Sequence, residues 1–511
     1  MSYAMYVPES FMGRTGYQIF VDRFNRKGEK PEKIEGRTLK EWQDDMPQWW
    51  PDEKGVYHNS DFYGGNLQGI IEKLDFIKDM GFDLIYLSPI SKTHSSHHYD
   101  VENQMKIDPW IGTWSDFQML CKEAHKRDIL VCVDLVFNHM GAKSEIFQEA
   151  LANKDSKYRE WFEWTSDGRP VFWYGFGDLP QCNKLNPDYQ KYATDVCDKY
   201  LENGADGIRL DLGEVFPKEF MHVLRDCIKR VNSQAIIVVE MWGLATHKEN
   251  AQIYGDQADS VMNYPLSDAI CRLIRCKNEK HFMYIFNELM RYPEQVQDVL
   301  WNFLDSHDVP RALNMLAGQG MQEDPFKGGS IWDIEAPWRK RDRSGNVVGF
   351  DTFGFRKWEY ETDKPDDMDL AKKRLMLASL MQYSLRGLPI VYYGTEAGLT
   401  GGKDPFCRKP YPWSKEDKEL IEHYKKLGRF RKEQKRILSK GNCRIIYVTS
   451  SVLVYERAFE NKKLIFVVNF SNEKQYNVTN MEGATVVLNL QENEAQTLNP
   501  YGAIVYEIRI S

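Results

Sequence analysis

No stretch of this 511-residue chain is apolar for long enough to cross a bilayer, and the N-terminus MSYAMYVPESFMGRTG lacks the basic head, apolar run and small-residue cleavage site of a secretory leader. A soluble cytoplasmic protein is the expectation. There is no excess of positive charge either: 67 Lys+Arg stand against 75 Asp+Glu, a formal charge of -8, and no basic block offers itself to phosphates or anionic lipid. Nucleic acid and membrane are therefore excluded as partners, and a neutral ligand is expected. The nine cysteines are odd in number and scattered, several of them inside apolar runs such as VCVDLV, where the thiol acts as a small hydrophobe. Cys271 and Cys276 have no second pair at metal-ligand spacing, which argues against zinc. Internal repeats and low-complexity tracts are absent. Aromatics, by contrast, are plentiful: 13% of residues, with 14 Trp, more than a core of this size needs, so some rings are expected to line a site.

Short apolar runs alternate with amphipathic helical patterns over most of the chain. NLQGIIEKLDFIKDMG places Leu67, Ile70, Ile71, Leu74 and Ile77 on one helical face, with Asn66 as N-cap and Gly81 as the stop. YQIF, FDLIYLSP, ILVCVDLVFN, ADGIRLD, QAIIVVEMW, DSVMNYP, VLWNFLDS and LPIVYYG read as eight strands separated by helices. That alternation predicts an α/β fold with a parallel sheet, and eight strands over roughly 400 residues fit a (β/α)8 TIM barrel better than an open sheet. From about Ile437 closely spaced period-2 segments predict a C-terminal antiparallel β-sandwich. The expected divisions are a first barrel part over 1–139, a small inserted domain over 140–186 after strand 3, a second barrel part over 187–432 with an insertion at 312–367, and the sandwich over 433–511.

Catalytic groups of such barrels sit at the C-terminal ends of strands. Four apolar runs end in acids: Asp134 with Asn138 and His139, Arg209 with Asp211, Glu240, and His307 with Asp308. Any one of them could be a salt-bridged rim residue. Four together are hard to explain that way, because each buried ion costs several kcal/mol of desolvation. The two-residue spacing puts Arg209 and Asp211 on one strand face, about 6–7 Å apart. The cation is expected to hold Asp211 ionised, while apolar neighbours and Trp242 are expected to raise Glu240 toward a proton donor. An ionised nucleophile and a protonated acid roughly 5–5.5 Å apart are what retaining glycoside hydrolysis requires.

VDLVFNH, GIRLDLGEV, VVEMW and FLDSHD resemble, in order and spacing, the four signatures of the α-amylase family of glycoside hydrolases. YQIFVDRF, FYGGNLQGI, HHYD, GLPIVYYGTE and GGKDPFCR extend the resemblance along nearly the whole chain, most closely to the neopullulanase, cyclomaltodextrinase and maltogenic amylase branch. The resemblance implies Asp211 as nucleophile, Glu240 as general acid/base and Asp308 as transition-state stabiliser. Arg209 would orient Asp211 and Asp134 would support Arg209. His139 and His307 would bond sugar hydroxyls, Tyr99 would stack under the ring, and Asp404 with Arg408 would grip the next sugar. From the residues alone, Tyr99 reads as a packed aromatic and the Asp404–Arg408 spacing as a loop ion pair.

The implied substrate is an α-glucan oligosaccharide or polysaccharide, cleaved at α-1,4 bonds, with cleavage of α-1,6 bonds left open. The alternatives are a transglucosidase on the same covalent intermediate and a catalytically inactive amylase-like binding protein. No cofactor and no catalytic metal are required, although Asn138 resembles a position that holds calcium in some relatives. The branch's N-terminal β domain has no counterpart ahead of the barrel, so a monomer is expected rather than the dimer that domain supports. Leu212-Gly213-Glu214-Val215 is one residue tighter than the branch's wording, which directs Glu214 toward the leaving-group sugars. Trp332, Trp338 and Trp358 in the long segment starting at Gly328, and the Trp49-Trp50 pair, are candidate sugar platforms or simply packed rings.

Overall fold

The computed structural model describes residues 6–42, 46–47, 59–248, 250–317, 365, 367–402, 404–477, 483–494 and 496–509, with the backbone of 339–341 and 347–350. Trp49, Trp50, Trp332, Trp338, Trp358 and most of the 312–367 insertion lie outside the described residues.

Each of the eight apolar runs contains a strand of one parallel sheet: β1 Gly16–Ile19, β2 Leu84–Leu87, β3 Leu130–Val136, β4 Gly207–Asp211, β5 Ile236–Val239, β6 Ser260–Val261, β7 Trp301–Asn302 and β8 Leu388–Tyr392. Their order is β6-β5-β4-β3-β2-β1-β8-β7, and a parallel bridge between Met262 and Trp301 joins the two ends into a ring. Val and Ile dominate because these strands are covered on both faces: Ile236, Ile237, Val238 and Val239 are all fully buried. The helical pattern at 66–81 forms two short helices, Leu67–Glu72 and Leu74–Asp79, broken at Lys73. The Asn66 side chain caps the first by accepting from the Gly69 N–H. Gly81 ends the second in the left-handed region at φ 89°, against Gly428, whose Cα would lie 2.8 Å from any Cβ placed there.

After β3 the chain makes helix Glu145–Ala152 and a set of isolated bridges, among them His139 with Gln181, which tie this excursion back to the end of the strand. Beyond the barrel, β9 Asn442–Val448, β10 Val452–Phe459, β11 Lys462–Asn469, β12 Thr485–Leu490 and β13 Ala503–Arg509 form an antiparallel sheet of order β9-β10-β11-β13-β12. Its alternation decides what each face touches. Leu453, Tyr455, Leu464, Phe466, Val468 and Val505 join the barrel's core, whereas Val452, Val454, Ile465, Val467 and Ile504 pack under Leu498 of a short Gln475–Tyr476 and Thr497–Leu498 ladder. Helix Met368–Ser384, buried over nearly its whole surface, lies between ring and sheet. Arg457 of β10 reaches across to donate to the carbonyls of Ser384, Leu438 and Gly441.

Candidate active site

Asp134 and Arg209 are register partners on β3 and β4, so their side chains leave adjacent strands on the same face. Arg209 is wholly buried and its guanidinium is shared among three acids. Nη1 donates to both oxygens of Asp134 at 2.8 and 2.7 Å and to Asp211 Oδ1 at 3.1 Å, and Nη2 lies 3.0 Å from Glu240 Oε2. One nitrogen shared by both oxygens of Asp134 and by Asp211, with Glu240 beside the other, explains why a cation and carboxylates are buried together here: their charges offset part of each other's desolvation.

Glu240 follows directly on β5. Its surroundings are more polar than the sequence suggests: beside Arg209, its Oε2 accepts the Leu212 N–H at 2.7 Å and its Oε1 accepts the Trp242 indole N–H at 2.8 Å. Trp242 in turn stacks on Tyr264 at 4.2 Å. Leu212 can aim its N–H this way because it occupies the left-handed region at φ 49°, a conformation a branched side chain adopts only against a steric cost.

Asp211 departs from expectation. Burial, and after it the charge of Glu240, pushes its carboxyl well above the ordinary range against the pull of Arg209. Burial is the larger cause, and the one guanidinium that could offset it also serves Asp134 and Glu240. Asp134 is likewise raised to about 6, chiefly by burial, although Arg209, Tyr86 and Tyr99 all donate to it.

The loop after β7 brings His307 and Asp308 to the same place. Asp308 lies 3.2 Å from His307 Nε2 and 3.4 Å from Arg408 Nη2, while Arg408 Nη1 pairs with Asp404 at 3.0 Å. Arg408 also donates through Nε to the His307 carbonyl at 2.8 Å, so the Asp404–Arg408 pair belongs to the site's wall rather than to a detached loop. Tyr99, half-buried, stacks parallel to His307 at 5.1 Å and donates to Asp134 at 2.9 Å. His139 uses both ring nitrogens on protein atoms, Nε2 on the Tyr99 carbonyl at 3.1 Å and Nδ1 with the Asn138 amide at 3.4 Å. Glu214, one turn past Asp211, pairs with Lys248 at 2.8 Å.

The structure thus gathers Asp134, Arg209, Asp211, Glu240, Trp242, Tyr99, His139, His307, Asp308, Asp404 and Arg408 at one end of the ring. Three further residues take part that sequence reading passed over: Tyr86, donating to Asp134 at 2.6 Å, Gln18, donating to His307 Nδ1 at 2.8 Å, and Lys184, donating to Asn138 Oδ1 at 3.1 Å. Tyr86 and Gln18 sit inside strands, where alternation with buried neighbours is their one signal. Lys184 is 5% exposed and its ammonium occupies the carboxamide oxygen that would otherwise be free for a metal ion. Among the described residues no group of three or more His, Cys, Asp and Glu is arranged to hold a metal, and no helix is long and apolar enough to cross a membrane.

Set beside known proteins, residues 18–327 match the α-amylase catalytic domain. The chain is 31% identical over 494 residues to a cyclomaltodextrinase of Thermoanaerobacter pseudethanolicus, covering 93% of this chain and 73% of the relative. It is 30% identical to neopullulanase 2 of Thermoactinomyces vulgaris, covering 94% and 72%. The type III pullulan hydrolase from Thermococcus kodakarensis superposes with a TM-score of 0.76 at 25% identity, over 98% of this chain and 82% of that one. A ring of eight parallel strands, a cluster of acids around one arginine at its mouth, and this breadth of similarity lead to one conclusion: the chain belongs to the α-amylase family of glycoside hydrolases.

Proposed function

We propose that the protein is a retaining α-glucan hydrolase that cleaves α-1,4-glucosidic bonds of maltodextrins, starch fragments or cyclodextrins, with α-1,6 bonds as a second linkage. One observation carries the reading: a single buried guanidinium touches Asp134, Asp211 and Glu240, which sets a nucleophile and an acid side by side at the mouth of the ring. In the first step Asp211 attacks the anomeric carbon while Glu240 gives its proton to the glycosidic oxygen, and the C–O bond breaks. When Glu240 carries the proton for this step its charge no longer adds to burial in opposing the ionised nucleophile, which Arg209 favours. In the second step Glu240 takes a proton from water, the water oxygen attacks the same carbon, and Asp211 is released. Asp308, beside Arg408, stabilises the positive charge that develops on the sugar ring in the transition state of each step.

The names of the cyclomaltodextrinase and neopullulanase relatives support the α-glucan substrate class. Nine free cysteines, seven of them buried, support a reducing compartment, the cytoplasm. The test is the anomer released from maltoheptaose, read by proton NMR within the first turnovers. Net retention is expected, and inverted product rules the mechanism out. The two carboxylates suffice for these steps without a metal, and the Lys184 ammonium on Asn138 supports that reading. Dialysis against EDTA is accordingly expected to leave both kcat and Tm unchanged, and loss of turnover in a still-folded protein would contradict it.

A further inference from the structure

Gln18 lies on β1, 1% exposed, and its amide nitrogen donates to His307 Nδ1 at 2.8 Å. An amide nitrogen has only protons to offer, so Nδ1 presents its lone pair and a neutral ring must carry its proton on Nε2. The ring is neutral: burial first, then the charges of Arg408, Arg209 and His97, hold His307 well below the usual histidine range. Nε2 faces two oxygens, Tyr99 Oη and Asp308 Oδ2, the latter at 3.2 Å. Donating to Tyr99 with its N–H edge beside Asp308, it leaves the Tyr99 hydroxyl proton for Asp134 Oδ2 at 2.9 Å. The opposite tautomer would turn a lone pair toward the Asp308 carboxylate and compete with Asp134 for the Tyr99 proton. Asp134 would then share its Tyr99 donor, and Asp308 would face a lone pair in place of an N–H.

We propose that Gln18 is a positioning residue for glycosidic cleavage: by donating to His307 Nδ1 it fixes the ring proton on Nε2, and so keeps the ring's positive edge toward Asp308 and holds Asp134 through Tyr99. The inference deepens the retaining-hydrolase reading and rests on it. It concerns a residue that touches no substrate, since Gln18 acts wholly through His307.

The experiment compares wild type with Gln18→Glu and Gln18→Leu. Nitrogen-15 shifts of the His307 ring in histidine-labelled protein report which nitrogen is protonated, and kcat/KM on maltoheptaose is followed from pH 4 to 9. Wild type is expected to show a protonated Nε2 and a bare Nδ1. In Gln18→Glu the carboxylate accepts from Nδ1–H, so the neutral ring should carry its proton there. Its kcat/KM at neutral pH should fall about 10- to 100-fold, as when a residue orienting a histidine by hydrogen bonding is lost. That is far short of the ~10⁴-fold seen when a histidine that transfers protons takes the wrong tautomer, because His307 moves none.

Acidification should restore part of the Gln18→Glu loss, because imidazolium regains Nε2–H; activity then declines as pH rises through the new His307 pKa, a limb absent in wild type. Gln18→Leu, close to isosteric, should lose activity without that limb. A wild-type ring protonated on Nδ1, or a Gln18→Glu protein with wild-type protonation and kcat/KM, overturns the inference. Should Gln18→Glu fail to fold, the wild-type shifts and Gln18→Leu still decide it. If wild type shows Nε2–H yet cleaves no α-glucan, the tautomer assignment stands and the hydrolase reading is what falls.

Discussion

Asp211→Asn is expected to lower kcat on maltodextrins by on the order of 10⁴-fold or more, the scale seen when a group that acts in concert with others is deleted, while the protein folds normally. The activity half of this result follows from the proposed covalent step, which needs an oxygen nucleophile at this place beside Arg209. The stability half follows from the same crowding. Burial and the charge of Glu240 both oppose an ionised Asp211, so a neutral carboxamide of nearly the same shape relieves a repulsion rather than breaking a support. Thermal unfolding of the variant should therefore occur at or above the wild-type temperature, and circular dichroism should be unchanged. Residual kcat within tenfold of wild type would remove Asp211 from the nucleophile's role.

Arg209→Met should do the reverse, removing activity and also destabilising the fold by about 3–5 kcal/mol at neutral pH, the usual result of taking one partner from a buried ionic group. Arg209 is 0% exposed and is the direct cationic partner of Asp134 and Asp211, so its loss strands negative charge in the ring's interior. The pH dependence has a definite sign. Asp134 is already raised to about 6 with Arg209 present, and removing the cation raises it further. A carboxyl whose folded pKa lies above its unfolded value contributes most to stability below that unfolded value and loses the contribution as pH rises through the folded one. The deficit of the variant should thus be largest above about pH 6 and shrink as pH falls toward 4, where both acids take up protons. Chemical denaturation at pH 4 and pH 8 measures this directly. A deficit equal at the two values would show that packing of the guanidinium, not charge, is what Arg209 supplies.

Much of the architecture was legible because a parallel strand buried on both faces has no polar alternation to obscure it: IIVVE and LVCVDLV announce both a strand and the acid at its end. The helices were less sharply legible, and the 66–81 pattern breaks at Lys73 although its apolar stripe runs on, since the stripe records which side faces the core and not whether the backbone stays regular. At the site, residues that end apolar runs stood out, and the ones that support them did not. Tyr86 reads as one more ring in FDLIYLSP, and Gln18 as an isolated polar residue in YQIF, because hydrogen bonding across the ring is decided by closure of the barrel. The direction of the Asp211 shift was hidden for the same reason. Spacing placed one cation near one acid, and only the assembled ring shows three acids drawing on it.

Helix Met368–Ser384 is buried from Arg374 to its end, its Ser384 hydroxyl meets Tyr455 of β10, and Arg457 closes off the carbonyl of that last residue. The catalytic portion is consequently not separable from the β9–β13 sheet. Ending the chain near residue 441 would remove Tyr455 from the end of this helix and Phe466 from against Phe430, and strand the Ser384 and Leu438 oxygens that β10 now engages. The sheet is a missing wall of the enzyme's own interior, and grafting the barrel elsewhere would have to rebuild it.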